Sequence, residues 1–407
     1  MKKRLAKHDV DMLFVVPKAF GDEDQSAVRL VPADNIDVTN TSVELEEFWE
    51  KISYLEVGSN LIPYVGPEEF ERLVSESQLE NTEEHLSTST KKFTFSGKYG
   101  KDLMKEVSRY ALIAGTIAAR ENFDIIHAHD WLTYLAGITA KIVSGKPLVV
   151  HIHATEFDRS GENVNQAVYD IERQGMQMAD RVIAVSNLTR NIVINRYGIP
   201  EEKVTTIHNA VDFSGNDSCS DIRKNVPEKV VTFLGRVTYQ KGPDYFVEAA
   251  SKVIERYPNV RFVMAGSGDM LNRMIRRVSE LGISSNFHFT GFLKGAEVNK
   301  MFAMSDVYVM PSVSEPFGIS PLEAMRSNVP VIISKQSGVA EILKHAIKVD
   351  FWDIDAMADA IYGLLNYKAL SSYFIHHGQN EVNKLKWRKA AKAVKEIYEF
   401  ALAEQAV

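Results

Sequence analysis

The chain has 407 residues, 45% of them hydrophobic and 25% charged, with a formal net charge of −7 and one cysteine, Cys219. Single cores rarely grow past about 250–300 residues, so this length predicts two domains, and the acidic balance excludes broad nucleic-acid binding, which needs clustered positive charge. One cysteine rules out internal disulfides and fits a reducing cytoplasm. No apolar run reaches the ~20 residues that span a bilayer as a helix, and no signal-peptide pattern opens the chain.

In chain order, the opening MKKRLAKHDVDMLFVV reads as the tail of a helix leading into a strand over 11–17. A doubly wound domain normally starts with a strand and a Gly-rich turn, so the first βα unit is expected to be missing. The acidic stretch 75–90 reads as a mobile surface insertion. Strands are predicted over 124–129, 147–153, 181–186 and 204–209, with helices over 102–120, 131–144, 162–178 and 187–196. The polar stretch 212–228, rich in Ser, Asn and Asp, is the predicted linker. A second alternation follows, with strands at 230–236, 260–268, 286–291, 307–311 and 329–333. Its helices fall at 243–257, 269–281, 295–304, 321–327 and 339–344. A last helix over about 382–404 has apolar residues at helical spacing and is expected to pack on a domain surface, returning to the first domain. Two βαβ runs predict an α/β protein of two Rossmann-like, doubly wound parallel-sheet domains. They are placed at 1–211, completed by 382–407, and at 229–381.

The strand 307–311 runs into SVSEPFGISPLEAM, residues 312–325. This is a strand-to-helix turn at the carboxyl edge of a parallel sheet, where open α/β sheets bind ligands. Ser320 reads as the helix cap, Pro321 as the first helical residue and Glu323 as a capping-box partner. Gly318 lets the backbone pass close to a ligand. LGRVTYQKG, residues 234–242, puts Arg236 and Lys241 beyond another strand end. Two such cations suit a diphosphate, although a solvated loop explains them equally well when they are taken alone. Carboxylates are repelled by phosphates but accept hydrogen bonds from sugar hydroxyls. Glu315 and Glu323 beside the two cations therefore read together as a site for a sugar diphosphate with a ribose attached. Taken singly, Glu323 is a cap and Glu315 a surface residue.

In the other half, HIH at 151–153 ends a strand with His151 and His153 on one face. No Cys or HExxH partner lies nearby in sequence, so no metal site is expected, and a polar substrate contact is assigned to His153. HAHDW, 127–131, ends a strand at His129 and Asp130, where a capping aspartate is the plain alternative. The GSG at 266–268 is a common turn, and the DVD at 10–12, which precedes its strand, and the DID at 353–355, which begins a helix, read as surface pairs.

GRVTYQKG, SEPFGISPLEAM and GVAEI (338–342), with HAHDW and HIHATE upstream, resemble the retaining glycosyltransferases of family four, glycogen-synthase-like members especially. The resemblance spans residues 8–403. It implies the GT-B fold, two Rossmann-like domains facing across a cleft, with an acceptor-side first domain and a second that holds the nucleotide sugar. It implies that Arg236 and Lys241 neutralise the diphosphate in place of a metal, that Glu315 contacts the donor sugar with the amides of Gly318 and Ile319 nearby, and that Glu323 binds the ribose. It further implies that Ser320 belongs to the donor-binding turn and that Phe292 and Leu293 meet the nucleobase. In the first domain, His153 reaches the donor sugar and Asp130 lies near the acceptor. The implied activity is metal-independent, retaining transfer of a hexose, glucose, from a donor such as ADP-glucose or UDP-glucose to an α-glucan such as glycogen. No other cofactor is implied. The alternatives are a lipid-linked or surface-polysaccharide acceptor, to which the basic stretch 383–395 lends peripheral membrane contact, and a truncated, non-catalytic nucleotide-sugar binder.

Overall fold

In the computed structural model, residues 5–8, 10–19, 28–36, 103–211, 224 and 226–405 are described. The predicted insertion 75–90 and most of the predicted linker lie outside them.

The first half contains β1 (Leu13–Val16) and β2 (Arg29–Pro32), a parallel pair, and a four-stranded parallel sheet. That sheet comprises β3 (Ile126–His129), β4 (Leu148–Ile152), β5 (Arg181–Ala184) and β6 (Val204–Thr206), side by side in chain order. Its helices are α1 (Leu103–Arg120), α2 (Trp131–Ser144), α3 (Glu156–Ser160), α4 (Gln166–Met178) and α5 (Asn187–Tyr197). The helix predicted over 162–178 is α4, starting at Gln166, and the short α3 before it was not predicted. Thr155 and Asp158 form a capping box that starts α3, and Asn165 starts α4 by accepting the amide of Ala167 at 3.1 Å. Between them Gly161 takes φ 62°, a region that side chains resist. Leu148, Val150 and Ile152 pack on one side of β4 against α2 and α4 residues such as Leu135 and Ile171. Val149 faces the other way, as the period of two requires.

The second half holds β7 (Lys229–Leu234), β8 (Val260–Ala265), β9 (Phe287–Gly291), β10 (Val307–Met310), β11 (Val331–Ser334) and β12 (Ile347–Val349). All pair parallel in the order β12-β11-β10-β7-β8-β9. Numbered within this domain the order is 6-5-4-1-2-3, the dinucleotide-domain order, and it reverses direction between β7 and β10. The helices are α6 (Pro243–Arg256), α7 (Leu271–Glu280), α8 (Ala296–Met304), α9 (Ser320–Arg326), α10 (Ile354–Asn366), α11 (Lys368–Val382) and α12 (Trp387–Gln405). The stretch read as a helix over 339–344 is a short 3-10 turn, Gly338–Glu341.

The last helix, α12, lies on the first sheet's opposite face. Its Ala391, Val394 and Tyr398 are buried with Val149, Ile183 and Ile207. The apolar stripe of the basic tail is therefore covered by protein. No helix among the described residues is long and apolar enough to cross a membrane.

Candidate active site

Two loops meet at the point where the second sheet reverses its strand order. The loop after β7 carries Arg236 and Lys241, and the loop after β10 carries Glu315. Lys241 Nζ lies 2.5 Å from Glu315 Oε2, and Ser312 Oγ donates to the same oxygen at 3.2 Å. Glu315 is buried, so a charged partner offsets its loss of hydration. An ammonium has three donors, and among the described residues this contact engages one of those on Lys241. Gly242 makes the turn possible, because its φ is 64° and a Cβ there would stand 2.1 Å from the carbonyl oxygen of Pro311. Arg236 is exposed, with Nη2 3.3 Å from Gln240 Oε1.

The Glu315 backbone is fixed from both sides. Its amide donates to Gln336 at 3.0 Å and its carbonyl accepts from Gly338 at 2.8 Å. Downstream the cap reading is overturned. Helix α9 starts at Ser320 itself, with Ile319 before it and no side-chain cap, because Ser320 Oγ is engaged with the Tyr308 hydroxyl at 2.7 Å. Glu323 is thus no capping-box partner. Burial pushes its carboxyl above the usual carboxylate range, and Arg326 draws it back. Ile319 is exposed and Gly318 takes φ 94°. Phe292, 71% exposed, and the half-buried Leu293 follow β9. That strand lies three positions from β10 in the sheet, which at strand spacing is roughly 14 Å.

In the first domain, Asp130 does not cap α2. Its backbone is at φ 57°, ψ 168°, a conformation side chains rarely adopt, and its Oδ1 accepts the backbone N–H of His153 at 2.7 Å. Such strain, of order 1–3 kcal/mol, persists where the surroundings over-determine it. Asp130 and His153 thus form one unit at the tips of β3 and β4, with His153 Nε2 2.9 Å from His129 Nδ1. Burial, then the charge of His153, lowers the His129 imidazole to about 4. Burial likewise holds His127 and His151 well below the usual histidine range.

Just beyond, α3 presents Asp158 to the other domain, and Ser314 Oγ donates to its Oδ1 at 2.5 Å. Glu341, in the GVAEI stretch, accepts the amides of Asn187 (2.9 Å) and Leu188 (2.7 Å) at the start of α5 and contacts His208 Nε2 at 2.9 Å. These contacts bring the carboxyl ends of β4 and β10 together. The sequence reading passed over Asp158, Ser314 and Glu341, since nothing local marks a residue as a bridge between domains. Gly338 sits in the same seam, where a Cβ would meet Pro316 O at 2.2 Å and Ser186 Cβ at 2.4 Å. Gly338→Ala is expected to cost about 1–3 kcal/mol through overpacking. Thermal melting should read it as a lower Tm, with a larger radius of gyration by X-ray scattering as the domains part. An unchanged radius and Tm would show that the seam yields freely.

The geometry agrees with what sequence comparison finds. Residues 91–214 match the family described as "Glycosyltransferase Family 4" and residues 218–381 that described as "Glycosyl transferases group 1". An uncharacterized glycosyltransferase of Methanocaldococcus jannaschii is 33% identical over 300 residues, 69% of this chain and 76% of that protein. UDP-Gal:alpha-D-GlcNAc-diphosphoundecaprenol alpha-1,3-galactosyltransferase of Escherichia coli is 26% identical over 73% of this chain and 79% of its own. Among solved structures, sucrose-phosphate synthase of Thermosynechococcus elongatus superposes with a TM-score of 0.65 at 20% identity, over 80% of this chain and 87% of that one. With the strand order of its second sheet, these matches place the chain among the family 4 glycosyltransferases, built on the GT-B fold of two Rossmann-like domains.

Proposed function

We propose that this chain transfers a hexose, glucose, from a nucleoside diphosphate sugar to an α-glucan, with retention of anomeric configuration. The observation that carries the donor half is the Lys241–Glu315 pair at the strand-order reversal, with Arg236 on the same loop. Lys241 and Arg236 stabilise the departing diphosphate, and Glu315 and His153 hold the sugar from opposite domains. Glu323 takes the ribose hydroxyls, and Phe292 and Leu293 border the base. Asp130 orients the His153 backbone and faces the acceptor side. Catalysis on this reading is positional and electrostatic, with attack on the face from which the diphosphate leaves.

The α-glucan acceptor rests on the motif resemblance. The relationship to the E. coli galactosyltransferase, whose name specifies a diphosphoundecaprenol-linked acceptor, supports a second reading in which the acceptor is lipid-linked. Release of nucleotide from a panel of UDP-, ADP- and GDP-hexoses, with glycogen or with a polyprenyl-diphosphate glycan, separates the two. Glycogen-dependent release supports the first and lipid-dependent release the second. Calorimetric donor binding without release under either acceptor would leave a nucleotide-sugar binder and overturn the transfer proposal.

A further inference from the structure

Four imidazoles share one face of the first sheet, more than the transfer reaction uses. β3 and β4 are in register with His129 opposite His151, and the side-chain period of two adds His127 and His153 to that face. The rings stack, with centroids 4.3 Å apart for His127–His129, 4.4 Å for His151–His153 and 5.2 Å for His129–His151. Helix α12 covers the face, and its Tyr398 hydroxyl meets His127 Nδ1. His151 is fully buried, yet among the described residues neither of its ring nitrogens has a hydrogen-bond partner, and His127 Nε2 has none either. Each forgoes a bond that water would supply in the unfolded chain, and native proteins keep few such groups without an ion or water to meet them.

Two of the rings are held at one nitrogen by a neighbouring side chain, as metal-ligating imidazoles are. His127 is held at Nδ1 by Tyr398 and His129 at Nδ1 by His153, at 2.9 Å, so each keeps Nε2 as its remaining nitrogen. One nitrogen from each of His127, His129 and His151 lies within 4.8 Å of the others. Metal–imidazole bonds of about 2.0–2.1 Å bring ligand nitrogens to roughly 3.3 Å apart in a tetrahedral set, so binding requires each ring to close by about 1 Å and to turn out of the present stack, in which the ring planes lie within 28° of one another. The set contains no carboxylate, which disfavours Mg²⁺ and Ca²⁺, whereas neutral imidazoles suit zinc and its neighbours. We propose that His127, His129 and His151 bind one divalent transition-metal ion of the zinc, cobalt or nickel class, with Tyr398 and His153 as the groups that fix the ligands. Such an ion ties α12 to the sheet and locks the His129 ring against which His153 rests. It takes no ligand from the proposed donor-site residues and adjoins that site only through the His129–His153 contact.

The test uses the full chain without a polyhistidine tag, stripped with a chelator and titrated with Co²⁺. One Co²⁺ per chain, with the visible absorption of a four- or five-coordinate ion and displacement by Zn²⁺, is expected. Excess Zn²⁺ should also raise Tm. Tyr398→Phe should weaken Co²⁺ binding about 10–100-fold, and His127→Gln, His129→Gln and His151→Leu should weaken it further. Circular dichroism checks that each variant folds. Should His151→Leu fail to fold, His129→Gln at the rim of the cluster and Tyr398→Phe decide the question. Wild-type protein that takes up no stoichiometric Co²⁺ overturns the site, leaving buried water as the partner of these nitrogens. Uptake undiminished in His127→Gln and His129→Gln overturns it equally, by placing the ion elsewhere, as at the half-buried His345–His377 pair.

Discussion

Replacing Lys241 by alanine is expected to lower turnover at least about 100-fold, the scale on which one preorganised charge-stabilising group acts in a transition state. A hundredfold corresponds to about 2.7 kcal/mol of barrier. Glu315→Ala is expected to cost as much. The two side chains are 2.5 Å apart, so the double variant should lose far less than the sum of the singles. In Lys241→Ala a buried carboxylate loses its charged partner, and the departing diphosphate loses a cation. Lys241→Arg separates these effects. Its charge should keep Glu315 satisfied and the protein stable, while the planar fork aims its donors differently and leaves turnover well below wild type. The readout is kcat from nucleotide release, with melting temperature measured alongside. Near-normal turnover in either alanine variant would remove that residue from the proposed mechanism.

The largest stability effect is expected behind α3. Arg159 Nη1 contacts Glu172 Oε1 at 2.8 Å and Glu156 Oε2 at 3.2 Å, and Nη2 donates to the Ala154 carbonyl at 2.9 Å. The three side chains are only 8%, 7% and 4% exposed for Arg159, Glu156 and Glu172. Tyr197 adds its hydroxyl to Glu172. Burial pushes the Glu172 carboxyl up, and Arg159 is the first influence pulling it back. Arg159→Ala strands two buried carboxylates and is expected to destabilise the fold by about 3–5 kcal/mol, read as a shift in urea midpoint at unchanged m. Glu172→Gln keeps a hydrogen-bonding group and should cost less. Because α3 carries the Asp158 that meets Ser314, Arg159→Ala should also raise the donor KM. A variant within about 0.5 kcal/mol of wild type, the ordinary range for surface changes, would show that the network is not a support of the fold.

Much of the fold was legible because its signals are local. The apolar runs of β7, β8, β10 and β11 are continuous, as strands buried on both faces must be, and each lies within a few residues of its predicted span. What was missed had weak local signals. β2 has four residues and ends on Pro32, β12 has three, and α11 buries only Gly378 and Val382, too little for a stripe. α10 was read only at its start. The helix expected to begin at 353–355 is there, with Asp353 accepting the Ala356 amide at 3.0 Å, while its length went unread although Met357, Ala358, Ile361, Leu364 and Leu365 recur at helical spacing.

The amino-acid order by itself determined the two βα alternations and the set of candidate donor-site residues, because hydrophobic period and turn chemistry are properties of neighbouring positions. It also carried the family. Only the tertiary structure decided that Lys241 and Glu315 touch, that Ser320 bonds Tyr308 rather than capping its helix, and that Glu341 and Asp158 bridge the domains. It alone set His127 and His129 beside His151, where the sequence offered two separate His-x-His pairs with nothing local to join them. The physical reason is the same in each case. Strand register, domain contact and side-chain bonds between separate elements are tertiary pairings, and residues a dozen or more positions apart leave no mark on one another's local pattern.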